Sequence, residues 1–223
     1  MDLAGLRTLI GDLTNDPSHD RYTNDQIGTE LDNVQDFWNI TARIIKDTVS
    51  VTLTASDSTY ALSNLTGTPI AFTRVTHKGL ELKKKDKSYF DLYTGDNWSD
   101  DEGTPKYYYI DASDPDLQQI VVYPIPGTND VTDALVVEYV KRHTPMSATS
   151  DTPFNANTLL VPYHHGLAYH VASRLLMRDP SEANALKVVS YAREANKILV
   201  QVTETFKGLE REEPYRIRIG RNL

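Results

Sequence analysis

Apolar residues recur at three- and four-residue steps in two separate parts of the chain, a spacing that predicts amphipathic helices. The first part predicts a short helix over residues 2–13 and a long helix that reaches residue 46. Thr23 lies where the long helix would begin, and Gln26 follows it at the spacing of a capping box, in which each side chain bonds the other residue's backbone N–H. We therefore predict two helices before the pattern changes after Asp47.

The second helical part, residues 155–208, predicts a helical hairpin. Its break lies at Asp179-Pro180-Ser181-Glu182, where Asp179 can cap a new helix, proline suits the first helical position and Glu182 can reach back to the cap. One helix is predicted to end near Arg178 and the next to start at Pro180. The buried face of the second helix is assigned to the apolar positions Leu186, Val189, Ala192, Leu199, Val202 and Phe206.

Between the two helical parts the apolar period changes to two, as expected for strands with one buried face. Gly, Pro, Asn and Asp residues separate the alternating runs. The predicted strands are residues 49–53, 60–65, 70–75, 80–83, 106–111, 118–123 and 135–139. Short strands in this number fit a small antiparallel β-sandwich or barrel, which we place at residues 48–145.

The last segment, residues 209–223, has a different pattern. Pro214 cannot continue a helix, and the residues after it alternate between apolar side chains and arginine. Such a strand needs a sheet edge, either in the chain's own β domain or on a neighbouring subunit or partner; disorder is the remaining alternative. The candidate interface residues in this tail are Tyr215, Arg216, Ile217, Arg218, Ile219 and Arg221.

Together these elements predict an α+β fold with an inserted domain. The helices at residues 1–47 and 154–208 each leave an apolar face that needs a further layer, so we expect them to combine into one four-helix bundle. The β domain at residues 48–145 is inserted between them, and an extended tail follows at residues 209–223.

Composition narrows the possible functions. The chain has 223 residues, a formal net charge of −8 and no cysteine. The negative charge argues against nucleic-acid binding over the whole surface, and the absence of cysteine removes disulfides and thiolate chemistry. A local basic patch at residues 83–87 is expected at an exposed hairpin tip, with nucleic-acid or partner binding as the alternative. The chain has no apolar run of membrane-helix length and no signal-peptide pattern, so we expect no membrane association.

Two groups of side chains have the composition of a binding or catalytic site. His164, His165 and His170 lack the four-residue spacing of a two-histidine metal face, which favours an interface or capping role over a metal-dependent hydrolase. Trp98 and Tyr107–Tyr109 suit either a sugar-binding platform or the half-buried faces of ordinary strands. The sequence has no Gly-rich phosphate loop, nucleophile elbow or HExxH motif, so we predict no enzyme, no cofactor and no metal.

Several segments, taken in order, resemble the head-to-tail adaptor proteins of tailed bacteriophages. Residues 21–27, Arg-Tyr-Thr-Asn-Asp-Gln-Ile, are similar to the start of the second helix in that family. Residues 103–110, Gly-Thr-Pro-Lys-Tyr-Tyr-Tyr-Ile, with residues 122–126 and 136–139, resemble its inserted β unit. Residues 160–169, Leu-Val-Pro-Tyr-His-His-Gly-Leu-Ala-Tyr, are similar to its third helix. The resemblance covers residues 3–205; the tail has no counterpart in it.

The resemblance implies a structural virion protein, made in the host cytoplasm and located at the portal vertex or neck. Its copies would form a ring, of twelve subunits in this family, that joins the portal protein to a tail or nozzle protein. Genomic DNA would pass through the lumen without sequence-specific binding. The helix that carries Tyr163, His164 and His165 is then expected to face the portal. The alternative is a carbohydrate- or receptor-binding virion component that uses Trp98 and Tyr107–Tyr109.

Overall fold

The computed structural model describes residues 1–62, 65–93, 101–111, 119–179 and 181–211. It contains both helices and sheets, so the fold is α+β as predicted. The chain divides into two compact units. One consists of Met1–Ile45 with Arg142–Leu223, and the other of Lys46–Lys141. We call them the helical unit and the β unit.

The helical unit is built around one central helix. Its elements are α1 (Leu3–Thr14), α2 (Asn24–Ala42), the short turn α4 (Pro153–Ala156), a 3-10 helix (Thr158–Tyr163), α5 (His164–Met177) and α6 (Glu182–Arg211). Helix α5 contacts α1, α2 and α6, and these four helices contribute to one hydrophobic core. Because α5 is surrounded in this way, its apolar residues Leu167, Val171 and Leu175 are fully buried.

The start of α2 confirms the predicted capping box. The Gln26 backbone N–H donates to Thr23 Oγ1 at 3.3 Å, and the Thr23 N–H donates to Gln26 Oε1 at 3.0 Å. The end of α2 was placed too late, because the helix stops at Ala42 rather than residue 46. Arg43 has a left-handed backbone with φ 54°, and its N–H bonds the Asn39 carbonyl oxygen. Such a cap is most often glycine, so arginine gave no sequence signal.

The break between α5 and α6 lies where it was expected, but another residue provides the cap. Helix α5 ends at Met177 and α6 begins at Glu182. Ser181 Oγ accepts the backbone N–H of Asn184 at 3.2 Å, which is the bond predicted for Asp179. The Asp179 carboxylate instead accepts a bond from the Asn184 side-chain amide at 3.2 Å.

The buried face of α6 was partly misassigned. Leu199 and Val202 are buried as predicted, with exposed fractions of 6% and 0%. Leu186 and Val189, which were assigned to the same face, are 76% and 69% exposed. The core face is instead continued by Ala195 and by Ile198, listed with it among the buried residues. Helix α6 therefore has apolar side chains on two faces.

The β unit contains two four-stranded sheets. Their strands are β1 (Lys46–Val51), β2 (Thr59–Ala61), β3 (Pro69–His77), β4 (Leu80–Glu81), β5 (Lys83–Lys84), β6 (Tyr107–Asp111), β7 (Gln119–Tyr123) and β8 (Leu135–Lys141). The strand order is β1-β8-β3-β4 in one sheet and β2-β7-β6-β5 in the other. Side chains from both sheets form one hydrophobic core, including Val75, Ile120 and Val137. All described pairs are antiparallel except β5–β6, which is parallel and differs from the prediction.

The basic residues 83–87 do not form a hairpin tip, in contrast to the prediction. Lys83 and Lys84 form edge strand β5, and Lys87 begins helix α3 (Lys87–Tyr93). In α3 the fully buried Phe90 contacts the Tyr109 ring at a centroid distance of 5.1 Å. The helix thus adds a second, smaller apolar cluster to the β6–β7 part of the sheet.

Candidate partner interface

The 3-10 helix that precedes α5 presents apolar side chains to solvent. Leu159 is 51% exposed and Val161 is 53% exposed, whereas Leu160 between them is 1% exposed and belongs to the core. The buried leucine fixes the segment to the helical unit, and its two neighbours project outward. Adjacent exposed apolar side chains on a firmly held segment are typical of a contact surface for another protein.

A short turn with an unusual backbone holds this segment in place. Phe154, Asn155 and Ala156 have φ angles of 54°, 55° and 61°. The Phe154 N–H donates to the buried Gln35 Oε1 at 2.9 Å, and its ring is 2% exposed. Asn157 then caps the 3-10 helix, since its Oδ1 accepts the Leu159 N–H at 3.1 Å. The core and the cap together determine which way Leu159 points.

His164, which was predicted to face a partner, lies inside the helical unit. Its side chain is 1% exposed, and Nδ1 lies 3.1 Å from the Met1 nitrogen and 3.0 Å from the Met1 carbonyl oxygen. Burial, followed by the positive charge of the Met1 amino group, lowers the pKa of His164 to about 4. The ring is therefore neutral at neutral pH and holds the start of the chain against α5.

His165 and Tyr163 are more accessible than His164. His165 is exposed and makes an edge contact with Tyr169 at a centroid distance of 6.2 Å. Tyr163 is half-buried and packs against the core. We call Leu159, Val161, Tyr163 and His165 the 159–165 surface. It contains two of the three residues predicted for the portal-facing helix and adds two apolar residues that the sequence had not singled out.

The third histidine of the predicted group has an internal partner. The Trp38 Nε1–H donates to His170 Nδ1 at 3.0 Å, and the Phe37 ring meets His170 edge-on at 5.5 Å. Burial, followed by the positive charge of Arg174, lowers the pKa of His170 to about 4. A neutral ring keeps Nδ1 available as an acceptor. Within the described residues, no group of three His, Cys, Asp or Glu side chains is placed to hold a metal ion.

A buried histidine outside the predicted set binds two carboxylates of α2. The His143 side chain is 0% exposed, with Nε2 3.1 Å from Asp32 Oδ1 and Nδ1 3.0 Å from Asp36 Oδ1. A ring that carries both N–H protons donates to both carboxylates. Arg142 adds an ion pair, with Nε 2.8 Å from Asp36 Oδ2. The spacing of the two aspartates, four residues apart on one helix, was the available sequence signal.

The tyrosines proposed for sugar binding are mostly internal. Tyr108 is 3% exposed in the core between the sheets, and Tyr109 is 8% exposed against Phe90. Tyr107 is half-buried and stacks on Tyr123 at a centroid distance of 6.5 Å. Buried rings cannot stack on a ligand, so Tyr108 and Tyr109 do not form the expected platform. Trp98 lies outside the described residues.

The predicted tail contacts also lie outside the described residues, which end at residue 211. The residues concerned are Tyr215, Arg216, Ile217, Arg218, Ile219 and Arg221.

Comparison with protein families gives the context of these surfaces. The family model described as SU10 adaptor protein matches residues 1–216. The chain belongs to the SU10 adaptor protein family. It is thus a bacteriophage adaptor, a structural virion component that associates with other virion proteins. No curated protein matches the sequence of this adaptor.

The adaptor's helices are consistent with this family. In the part of the chain that the structure describes, no helix combines the length and the apolar character needed to cross a membrane. Its 159–165 surface offers apolar contact area and one imidazole, which suits docking to a protein.

Proposed function

We propose that this adaptor joins the portal protein to a tail or nozzle protein as a homo-oligomeric ring, with twelve copies at the portal vertex. The ring is a structural part of the neck, performs no catalysis and lets the genome pass. The observation that carries the proposal is the family match over residues 1–216. The exposed 159–165 surface supports it by providing a candidate docking region.

The division of labour follows from the two units. We infer that α1, α2, α5 and α6 act as a four-helix bundle and that the two sheets act as a β-sandwich. In domain terms this corresponds to residues 1–47 and 154–208 for the bundle, 48–145 for the inserted β domain and 209–223 for the tail. The bundle carries the portal-facing surface, because Leu159 and Val161 project from it.

Two further contacts belong to the proposal. The tail, from Tyr215 to Ile219 and including Arg221, is proposed to add a strand to a sheet edge of a neighbouring subunit or partner, since its apolar and arginine residues alternate. Genomic DNA is proposed to pass through the ring lumen without sequence-specific binding. The net charge of −8 supports this, because a lumen that repels phosphates does not retain DNA.

Binding to purified portal rings tests the proposal. The full chain, a chain of residues 1–211 and the variant Val161→Asp are each incubated with portal rings, and native mass spectrometry counts the bound copies. Leu80→Asp is the matched control, because Leu80 is also an exposed apolar residue, at 69%, but lies in the β unit. We expect stoichiometric binding by the full chain and by Leu80→Asp.

The two altered regions have separate expected results. Val161→Asp places a charge in the 159–165 surface and is expected to weaken portal binding at least tenfold. The 1–211 chain, which keeps the whole of α6, is expected to bind less stably because it lacks the tail. Absence of binding by the full chain would overturn the adaptor proposal. Equal binding by Val161→Asp and the full chain would show that another surface faces the portal.

A further inference from the structure

Helix α6 has a second apolar face directed away from the core. Leu186, Val189 and Val200 are 76%, 69% and 55% exposed. At 3.6 residues per turn these three positions share one side of the helix, opposite the buried Val202. We call them the α6 stripe. A helix that already buries one face needs no such residues on its solvent side, so the stripe indicates a contact with another chain.

Helix α2 carries a smaller exposed apolar patch. Phe37 and Ile40 are 45% and 46% exposed and lie three residues apart, so they are neighbours on the helix surface. The inward face of the same helix is formed by fully buried residues, including Val34 and Trp38. We call Phe37 and Ile40 the α2 patch. The helical unit thus has two separate apolar surfaces on two different helices.

The two surfaces differ in charge. Between Leu186 and Val200, α6 carries three basic residues and one acidic residue: Lys187, Arg193, Lys197 and Glu194. Over Asn24–Ala42, α2 carries no lysine or arginine and four acidic residues: Asp25, Glu30, Asp32 and Asp36. Glu30 is buried against Arg174 and Arg178, but the other three acidic residues are not fully buried. A basic apolar stripe and an acidic apolar patch are complementary surfaces.

We propose that the α6 stripe of one copy packs against the α2 patch of the next copy around the ring. This inference rests on the proposed ring and names the surfaces that close it. A cyclic ring needs two different, complementary surfaces on every subunit, because each contact is head-to-tail. This chain carries both halves of such a contact in one unit. A foreign partner that covered only the stripe would leave the complementary α2 patch unexplained, so a second copy is the favoured occupant.

Cysteine cross-linking tests the contact directly, because the chain has no cysteine of its own. The full-length double variant Ile40→Cys/Val189→Cys is assembled on portal rings and oxidised. We expect a ladder of disulfide-linked oligomers on non-reducing gels, with the largest band giving the number of copies in the closed ring. The double variant Thr8→Cys/Val189→Cys is the control, because Thr8 is exposed on α1, outside both surfaces.

The products distinguish the possible occupants of the stripe. A 40–189 ladder at least five times stronger than the control supports the inference. Cross-links between two copies of residue 189 in the single variant Val189→Cys, without a ladder in the double variant, would replace it with a symmetric contact. Cross-links from residue 189 to the portal would assign the stripe to the portal. Portal binding of normal stoichiometry without any 40–189 product would overturn the inference while leaving the adaptor role intact.

A charge reversal gives an independent measurement. Val189→Asp is expected to bind portal rings with incomplete stoichiometry, because a carboxylate in the stripe faces the acidic α2 patch. Val189→Lys keeps the stripe basic and is expected to lose less occupancy than Val189→Asp. Equal occupancy for both variants and the unaltered chain would contradict the packing. Failure of the unaltered chain to bind portal would instead refute the adaptor role itself.

Discussion

Replacing Gly166 with alanine should loosen the contact of α5 with its two neighbouring helices. A Cβ atom at residue 166 would lie 2.6 Å from Trp38 Cη2 and 2.7 Å from Ile198 Cγ2. Both neighbours are buried, with exposed fractions of 0% and 6%. The Trp38 ring is also held by its bond to His170, so it cannot turn away without losing that bond. Glycine is required here by close approach, since its backbone is helical.

The expected loss is the difference between two opposing effects. Alanine is favoured over glycine within a helix by about 1 kcal/mol. Forcing an extra carbon into a packed core costs about 1–3 kcal/mol, because both neighbours must move by most of an ångström. We expect Gly166→Ala to lower the free energy of unfolding of the helical unit by about 1–2 kcal/mol. For a chain of this size that corresponds to a fall in Tm of roughly 2–8 °C.

Gly28 provides a matched control within α2. A Cβ atom at residue 28 would meet only the Arg7 side chain, at 3.8 Å, which is an ordinary contact. Gly28→Ala should therefore raise the free energy of unfolding, by up to about 1 kcal/mol. Urea unfolding followed by Trp38 fluorescence reports on the helical unit, provided that Trp98, the only other tryptophan, is replaced by phenylalanine. A Gly166→Ala protein as stable as Gly28→Ala would refute the close-approach argument.

Three further substitutions or conditions test other contacts. His164 and His170 have pKa values of about 4, below the usual 6.5, so the unfolded chain binds protons first. The free energy of unfolding should fall between about pH 6.5 and pH 4, by up to about 1.4 kcal/mol per pH unit for each histidine, and equal values at pH 7 and pH 5 would contradict this. Asp47 has its pKa lowered from 3.8 to about 2, first by a bond from Thr66 and then by one from Lys141; its contribution is present above pH 3.8 and lost towards pH 2. Asp47→Asn should thus cost about 1 kcal/mol at pH 7, allowing for its partial exposure, and nothing at pH 2 in thermal melts, whereas an equal loss at both would show a different cause. Glu30→Ala removes a buried carboxylate and should cost about 1–3 kcal/mol in urea titrations, and a loss no larger than about 0.5 kcal/mol, the effect expected of an exposed pair, would count against this.

Local signals in the sequence predicted the elements of this fold closely. The Thr23–Gln26 box sets the start of α2 through two short-range bonds, which depend on no other part of the chain. The alternation of apolar residues predicted β6 and β7 to within one residue, because one face of each strand must be buried. Both signals act between near neighbours, so the sequence alone was sufficient.

Features that depend on distant contacts were missed. Helix α3 is short, and what holds it is Phe90 against Tyr109, nineteen residues further along the chain. His164 was assigned to the surface because nothing nearby in sequence shows that Met1 covers it. His143 was not singled out, because Asp32 and Asp36 are more than one hundred residues away in the chain. In each case the partner was present in the sequence, but its proximity was not.

The misassignment on α6 has a different origin. Leu186 and Val202 each fit a helical repeat with their own neighbours, yet they lie about 160° apart around the axis. Periodicity shows that each belongs to an apolar face, and it does not show that the faces are the same. Only α5 decides which face is buried, because its glycine at residue 166 lets Ile198 approach. The apolar face left over has no use within the described part of this chain, so its sequence is explained by contacts in an assembly.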